Sequence, residues 1–220
     1  MRPGGKHAMW ILLFLGLGLS LGTGPAPAED TDGAALAAAR ALVLAALPGQ
    51  CEEAPDSGDN EAYVDRAMPV SWNPSWAESD DAEERAMLYQ IFCFAGAYST
   101  IYAYVLKPEN DTLSLLSFAE PSFTVDRVED DDSFTQLKGP PKVTGYVTVP
   151  TLFDPEFDAA TLTLSSFGRW RGMADAWSKG TWQLRDGRFV LTGFEIDPIY
   201  ELNLDDPTDA LSEISFKLYP

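Results

Sequence analysis

AMLYQIFCFAGAYSTIYAYVL, residues Ala86 to Leu106, decides how this chain folds. Two runs of aromatic, aliphatic and β-branched residues, AMLYQIFCF and STIYAYVL, flank the short link Ala95-Gly96-Ala97-Tyr98. Such runs with a glycine-bearing link between them predict a β-hairpin, and one this apolar belongs in a core. Further strand-like runs follow, with turn residues between them: TLSLLSF from Thr112, KVTGYVTV from Lys142, TLTLSSF from Thr161, GTWQL from Gly180, RFVLTGFEI from Arg188 and EISFKLY from Glu213. Asp186-Gly187 between two of them is a tight-turn signature, because both residues accept positive φ. The sum is a mainly β protein, an antiparallel β-sandwich or barrel-like domain, with one N-terminal α-helix packed on it.

That helix is predicted over about Gly33 to Leu47, where alanine and leucine dominate and Pro48-Gly49 stops the run. Leu36, Ala39, Leu42, Val43, Ala46 and Leu47 fall near helical spacing and form a stripe suited to a sheet face. Cys51 follows at once, and the only other cysteine is Cys93 on the central hairpin. Two cysteines in an exported chain are expected to pair, so Cys51 and Cys93 should staple the helix to the hairpin.

Export is read from residues 1–28: basic Arg2 and Lys6, an apolar run from Met9 to Leu21, then Ala26-Pro27-Ala28 before Glu29. The run is short of the ~20 apolar residues a spanning helix needs, so a cleaved signal peptide is expected, with no stable membrane insertion afterwards. No cysteine follows the apolar run before Cys51, so no lipid anchor is expected. Residues 29–85 read as the helix followed by an acidic arm with little regular structure, and 86–220 as the β domain. Together 29–220 are expected to fold as one unit. Within the arm, Asp80, Asp81, Glu83 and Glu84 read as a solvated helix start.

The precursor carries a net charge of −19, which becomes −21 without Arg2 and Lys6. Nucleic acid and anionic membrane surfaces are repelled by such a chain, so neither is expected as a partner. The sole histidine, His7, lies in the signal. Its loss removes Ser-His-Asp and Cys-His chemistry and the usual histidine ligands of zinc and copper. No nucleophile elbow, phosphate loop or C-x-x-C motif occurs. Asp154, Glu156 and Asp158 match the first alternating oxygens of a calcium loop, but Ala159 replaces its turn glycine and Ser165 its bidentate glutamate. Neither a metal site nor a cofactor is therefore expected.

Two aromatic clusters remain. Trp72-Asn73-Pro74-Ser75-Trp76 is either a platform for a sugar ring or a plug that holds the arm on the domain. In GRWRGMADAWSKGTW, Arg169, Arg171 and Lys179 set positive charge beside Trp170, Trp177 and Asp175. Arginine with aromatic rings suits an anionic or sugar ligand; alternatively the arginines pair with Asp175 and acidic loops. Asn110-Asp111-Thr112 matches a glycosylation sequon and equally a turn.

Several of these segments together, namely Gln90-Ile91-Phe92-Cys93, Gly96-Ala97-Tyr98, Phe153-Asp154, Thr163 to Phe167, Gly168-Arg169-Trp170-Arg171-Gly172, Asp175, Trp182 and Gly187-Arg188-Phe189, carry a resemblance. The chain over Leu88 to Pro198 resembles the bacterial exported family catalogued as domain of unknown function 1176. The resemblance implies a periplasmic location. The function expected is a non-catalytic binding or interaction module, periplasmic or secreted, whose partner is an envelope protein or a small ligand. The alternative is a carboxylate-based hydrolase acting on an envelope saccharide, with Glu120, Asp175 and Glu195 near strand ends as candidate carboxylates.

Overall fold

A computed structural model describes residues 31–51, 63–78, 83–172, 175–200 and 214–220. Residues 1–28, expected to be a signal sequence, and Asp80 and Asp81 lie outside the described residues. Helix α1 spans Thr31–Ala46, close to the predicted bounds. Strands β1 (Arg66–Trp72), β2 (Glu84–Ala95) and β3 (Thr100–Pro108) run antiparallel in that order. The free edge of β3 is covered by two short strands, β4 (Ser114–Leu115) at Val105 and Leu106, and β7 (Thr151–Phe153) from Ile101 to Ala103. A second five-stranded antiparallel sheet has the order β12 (Phe216–Tyr219), β11 (Arg188–Asp197), β10 (Trp177–Arg185), β9 (Thr163–Arg169), β8 (Glu156–Asp158). Between them in sequence, β5 (Phe118–Thr124) and β6 (Lys142–Val149) form a two-stranded ribbon. The sheets share a core and do not close into a barrel.

The central hairpin is buried on both faces. Leu88, Phe92, Tyr102, Tyr104 and Leu106 point into a core shared with Trp182, Leu184, Leu191 and Ile196 of the second sheet. The alternate residues Tyr89, Ile91, Cys93, Ile101, Ala103 and Val105 meet Ala39 and Val43 of α1 and Leu47 just after it. Strand side chains alternate between faces, so a strand covered on both sides reads as a continuous apolar run rather than an alternating one. That is why Ala86 to Leu106 stands out in the sequence.

Cys51 and Cys93 form a disulfide. The ladder between β2 and β3 shifts register between Phe92 and Phe94, so Cys93 sits at a bulge. An ion pair supports the same place: Arg40 Nε donates to Asp65 Oδ2 at 2.6 Å, and the Phe92 amide donates to Asp65 Oδ1 at 2.9 Å. The bulge thus has its backbone amide satisfied by the arm while the disulfide ties it to the end of the helix.

The structure corrects the reading of the arm. Residues 66–72 are strand β1, paired in register from Arg66 opposite Gln90 to Trp72 opposite Glu84, and Glu84 opens β2 rather than a helix. Pro69 is tolerated because β1 is an edge strand. Phe118–Thr124 is likewise a strand despite Pro121, in a ribbon whose ladder needs no donor on its open side. At the Asp186-Gly187 turn both residues have positive φ, 48° and 73°, as a two-residue hairpin loop requires.

Replacing both Cys51 and Cys93 by serine is expected to lower unfolding stability by about 4 kcal/mol, the loop-closure entropy of a crosslink between residues this far apart in sequence. Urea unfolding under oxidising conditions measures it. A second weak point is Gly180, where an added Cβ would lie 2.1 Å from the ring of fully buried Trp182. Gly180→Ala should therefore cost about 1–3 kcal/mol through overpacking, read as a lower urea midpoint at unchanged slope.

Candidate functional site

Large side chains fill the core between the sheets around Trp182, but one step along both strands they stop. Ser166 pairs with Gly180 and Gly168 with Ser178 across β9 and β10, on the same face as Leu164 and Trp182. Four small residues side by side lower the sheet surface there, with the Trp182 ring lying over Gly180. The space above them is a cleft of about 470 Å³. Its walls come from the ribbon through Glu120 and Val149, from β7 through Thr151 and Phe153, and from the end of β9 through Arg169 and Trp170.

Glu120 is held inward by strand alternation, two residues from the fully buried Phe118. The ribbon is fixed over the sheet by Trp182, whose Nε1 donates to the Ala119 carbonyl at 2.8 Å. Burial raises the Glu120 carboxyl from its ordinary value to about 7, because removing a carboxylate from water disfavours its charged form. A carboxyl with that value is both a donor and an acceptor near neutral pH.

Arg169 stands on the rim. Its Nη1 donates to Asp154 Oδ2 at 2.7 Å and to the Tyr98 carbonyl, and its guanidinium lies over the Phe167 ring. Asp154 in turn accepts from the Thr100 amide at 2.7 Å. Beyond Arg169 lies a second depression of about 480 Å³, lined also by Tyr98, Glu156 and Lys179.

The six residues singled out in the sequence do not form one cluster. Arg169 and Trp170 reach the cleft, with Trp170 stacked on Phe123 at 5.9 Å between ring centroids. Trp177 is paired with Arg169 in register and Lys179 with Phe167, which sets these four on the outer face of the second sheet. There the Trp177 and Phe167 rings meet at 5.6 Å. Arg171 forms a two-pronged ion pair with buried Asp175, Nε to Oδ1 at 2.7 Å, and lies over the Tyr200 ring at 4.2 Å. The strand period of two is the physical reason: neighbours in sequence go to opposite faces.

The candidate carboxylates are dispersed as well. Glu120 is in the cleft, Asp175 is taken by Arg171, and Glu195 accepts a hydrogen bond from Ser215 near the β12 edge. Asp158, from the calcium-like spacing, closes a turn by accepting from the Ala160 amide and the Thr161 hydroxyl. Ser166, Gly168, Ser178 and Gly180 join the site only in the fold; their sequence signal is small residues recurring at every second position of two strands.

Compared with known proteins, the chain matches no family model, no curated protein and no solved structure.

Glu120 should leave a mark on stability. Its folded pKa is raised, so between about pH 4.5 and 7 the folded state binds more protons than the unfolded one, and stability falls as pH rises through that window. Asp131, Asp158 and Asp186 have lowered values, so their contributions are lost only at more acid pH, as pH falls. Glu120→Gln is expected to remove a loss of at most about 3 kcal/mol between pH 5 and pH 8. Urea unfolding of both proteins at the two pH values measures the difference.

Proposed function

We propose that the chain is an exported protein, directed to the periplasm or beyond the cell by residues 1–28, that binds a small polyhydroxylated ligand of the saccharide class without transforming it. The observation that carries this reading is the cleft over Ser166, Gly168, Ser178 and Gly180, where Trp170 and Phe153 offer aromatic surface beside the carboxyl of Glu120. Sugars present apolar ring faces and hydroxyl edges, and aromatic rings with a few oriented polar groups meet both needs. Arg169 is already held by Asp154, so it contributes a fixed donor edge rather than a free charge.

Export is supported by the Cys51–Cys93 disulfide, which favours an oxidising compartment. No helix among the described residues is long and apolar enough to cross a membrane. The resemblance to domain of unknown function 1176 points to the same compartment.

A binding role is preferred to hydrolysis because, among the described residues, the cleft lining has a single carboxyl, Glu120, and two-carboxylate glycoside hydrolysis needs a second one at fixed separation. Titration of the mature protein with a panel of envelope oligosaccharides, followed by calorimetry, tests the reading. Trp170→Ala and Glu120→Gln are each expected to weaken binding about tenfold, with the ligand recovered unchanged. Binding indifferent to both substitutions, or a cleaved product, contradicts it.

A further inference from the structure

At the other end of the second sheet, the loop Trp72-Asn73-Pro74-Ser75-Trp76 is fastened to the β10–β11 turn. The Ser75 amide and hydroxyl both donate to the Asp186 carboxylate at 2.7 Å. Trp72 packs inward: a Cβ on Gly187 would meet its ring at 3.4 Å. Trp76 is 73% exposed on a loop that is nonetheless pinned. The two tryptophans therefore have different work. Trp72 is the plug, and Trp76 is left over.

Trp76 forms one wall of a groove of about 520 Å³ separate from the cleft of Glu120. Pro74 and Trp72 continue that wall, while Glu84, Asp111 and Asp186 bring three carboxylates against one guanidinium, that of Arg188. Asp186 stays ionised, since the hydrogen bonds from Ser75 hold its carboxyl below the usual range. An aromatic face attracts a cation through its quadrupole, and a tryptophan beside carboxylates is the combination that recognises alkylammonium groups. The chain as a whole is strongly anionic, which draws cations toward such a groove over long distances.

We infer that the groove between Trp76, Glu84 and Asp111 binds an organic ammonium ion, the head group lying on the Trp76 ring with the carboxylates around it. The chemistry is shared by a free quaternary amine and by a lysine side chain on another protein. It is distinct from the neutral ring ligand proposed for the Glu120 cleft, and does not depend on it.

Tryptophan fluorescence of the mature protein, titrated with choline, with Nα-acetyl-lysine amide and with methyl glucoside at low and high salt, tests the inference. Saturable binding of choline or the lysine amide that weakens as salt rises, and that falls at least about fivefold in Trp76→Ala and in the double variant Glu84→Gln with Asp111→Asn, supports it. Preference for choline assigns a free amine, and preference for the lysine amide assigns a protein side chain. Because Trp76 is exposed, Trp76→Ala should unfold at the parent urea midpoint, so a loss of binding reports the site and not the fold. Absence of saturation with both cations, binding that Trp76→Ala leaves unchanged, or methyl glucoside matching the cations in that groove overturns it.

Discussion

Strands β2 and β3 carry large apolar side chains on both faces, so each face of the hairpin must be covered or the protein would present a broad greasy surface to water. Each fully buried aliphatic or aromatic side chain contributes about 1.5–3 kcal/mol relative to its exposed state. The second sheet covers the Leu88, Phe92 and Tyr104 side, and α1 covers the Ile91, Ala103 and Val105 side. Neither cover is interchangeable with the other. The helix meets the narrower residues of the hairpin with Ala39 and Val43, whereas the second sheet interleaves Trp182 with aromatic rings such as Phe118 at 5.5 Å. The disulfide and the Arg40–Asp65 ion pair both engage the hairpin at the one irregular position of the β2–β3 ladder.

The cleft follows from the same packing rule working in reverse. A sandwich core is filled wherever facing strands supply bulk, and around Trp182 they do. Where β9 and β10 supply serine and glycine instead, the ribbon cannot close the gap and a concave surface results. Glu120 is half-buried there because it shares a strand face with Phe118, and partial burial without a counter-charge is what lifts its pKa. The basic residues of the neighbouring segment are mostly employed in holding structure. Arg169 ties the end of β9 to Asp154 and Tyr98, and Arg171 ties its segment to Asp175 and Tyr200.

What was hard to read in the sequence has identifiable causes. β1 and β5 contain Pro69 and Pro121, residues that argue against a strand unless the edge position is known, and edge position is a property of the sheet. β7 and β8 are three residues each, too short for any period to show. The segment GRWRGMADAWSKGTW looked like one binding cluster because its charges and rings are close in sequence. Alternation and the pairing of β9 with β10 distribute them over two faces and a loop.

Local chemistry by itself determined the helix with its stop at Pro48-Gly49, the doubly apolar hairpin, the positive-φ turn at Asp186-Gly187, the pairing of the only two cysteines, and the antiparallel β class. Each depends on residues adjacent in the chain or on a count that allows one outcome. The tertiary structure alone decided where a ligand would fit. The cleft needs the register that sets Ser166 beside Gly180, and a ribbon that brings Glu120 over them from 46 residues upstream of Ser166. The groove at Trp76 likewise needs β1, the β3–β4 link and the β10–β11 turn at one end of the molecule. Periodicity reports which way a side chain points from its own strand, but which strands face one another is settled by how the sheets bury their apolar faces together.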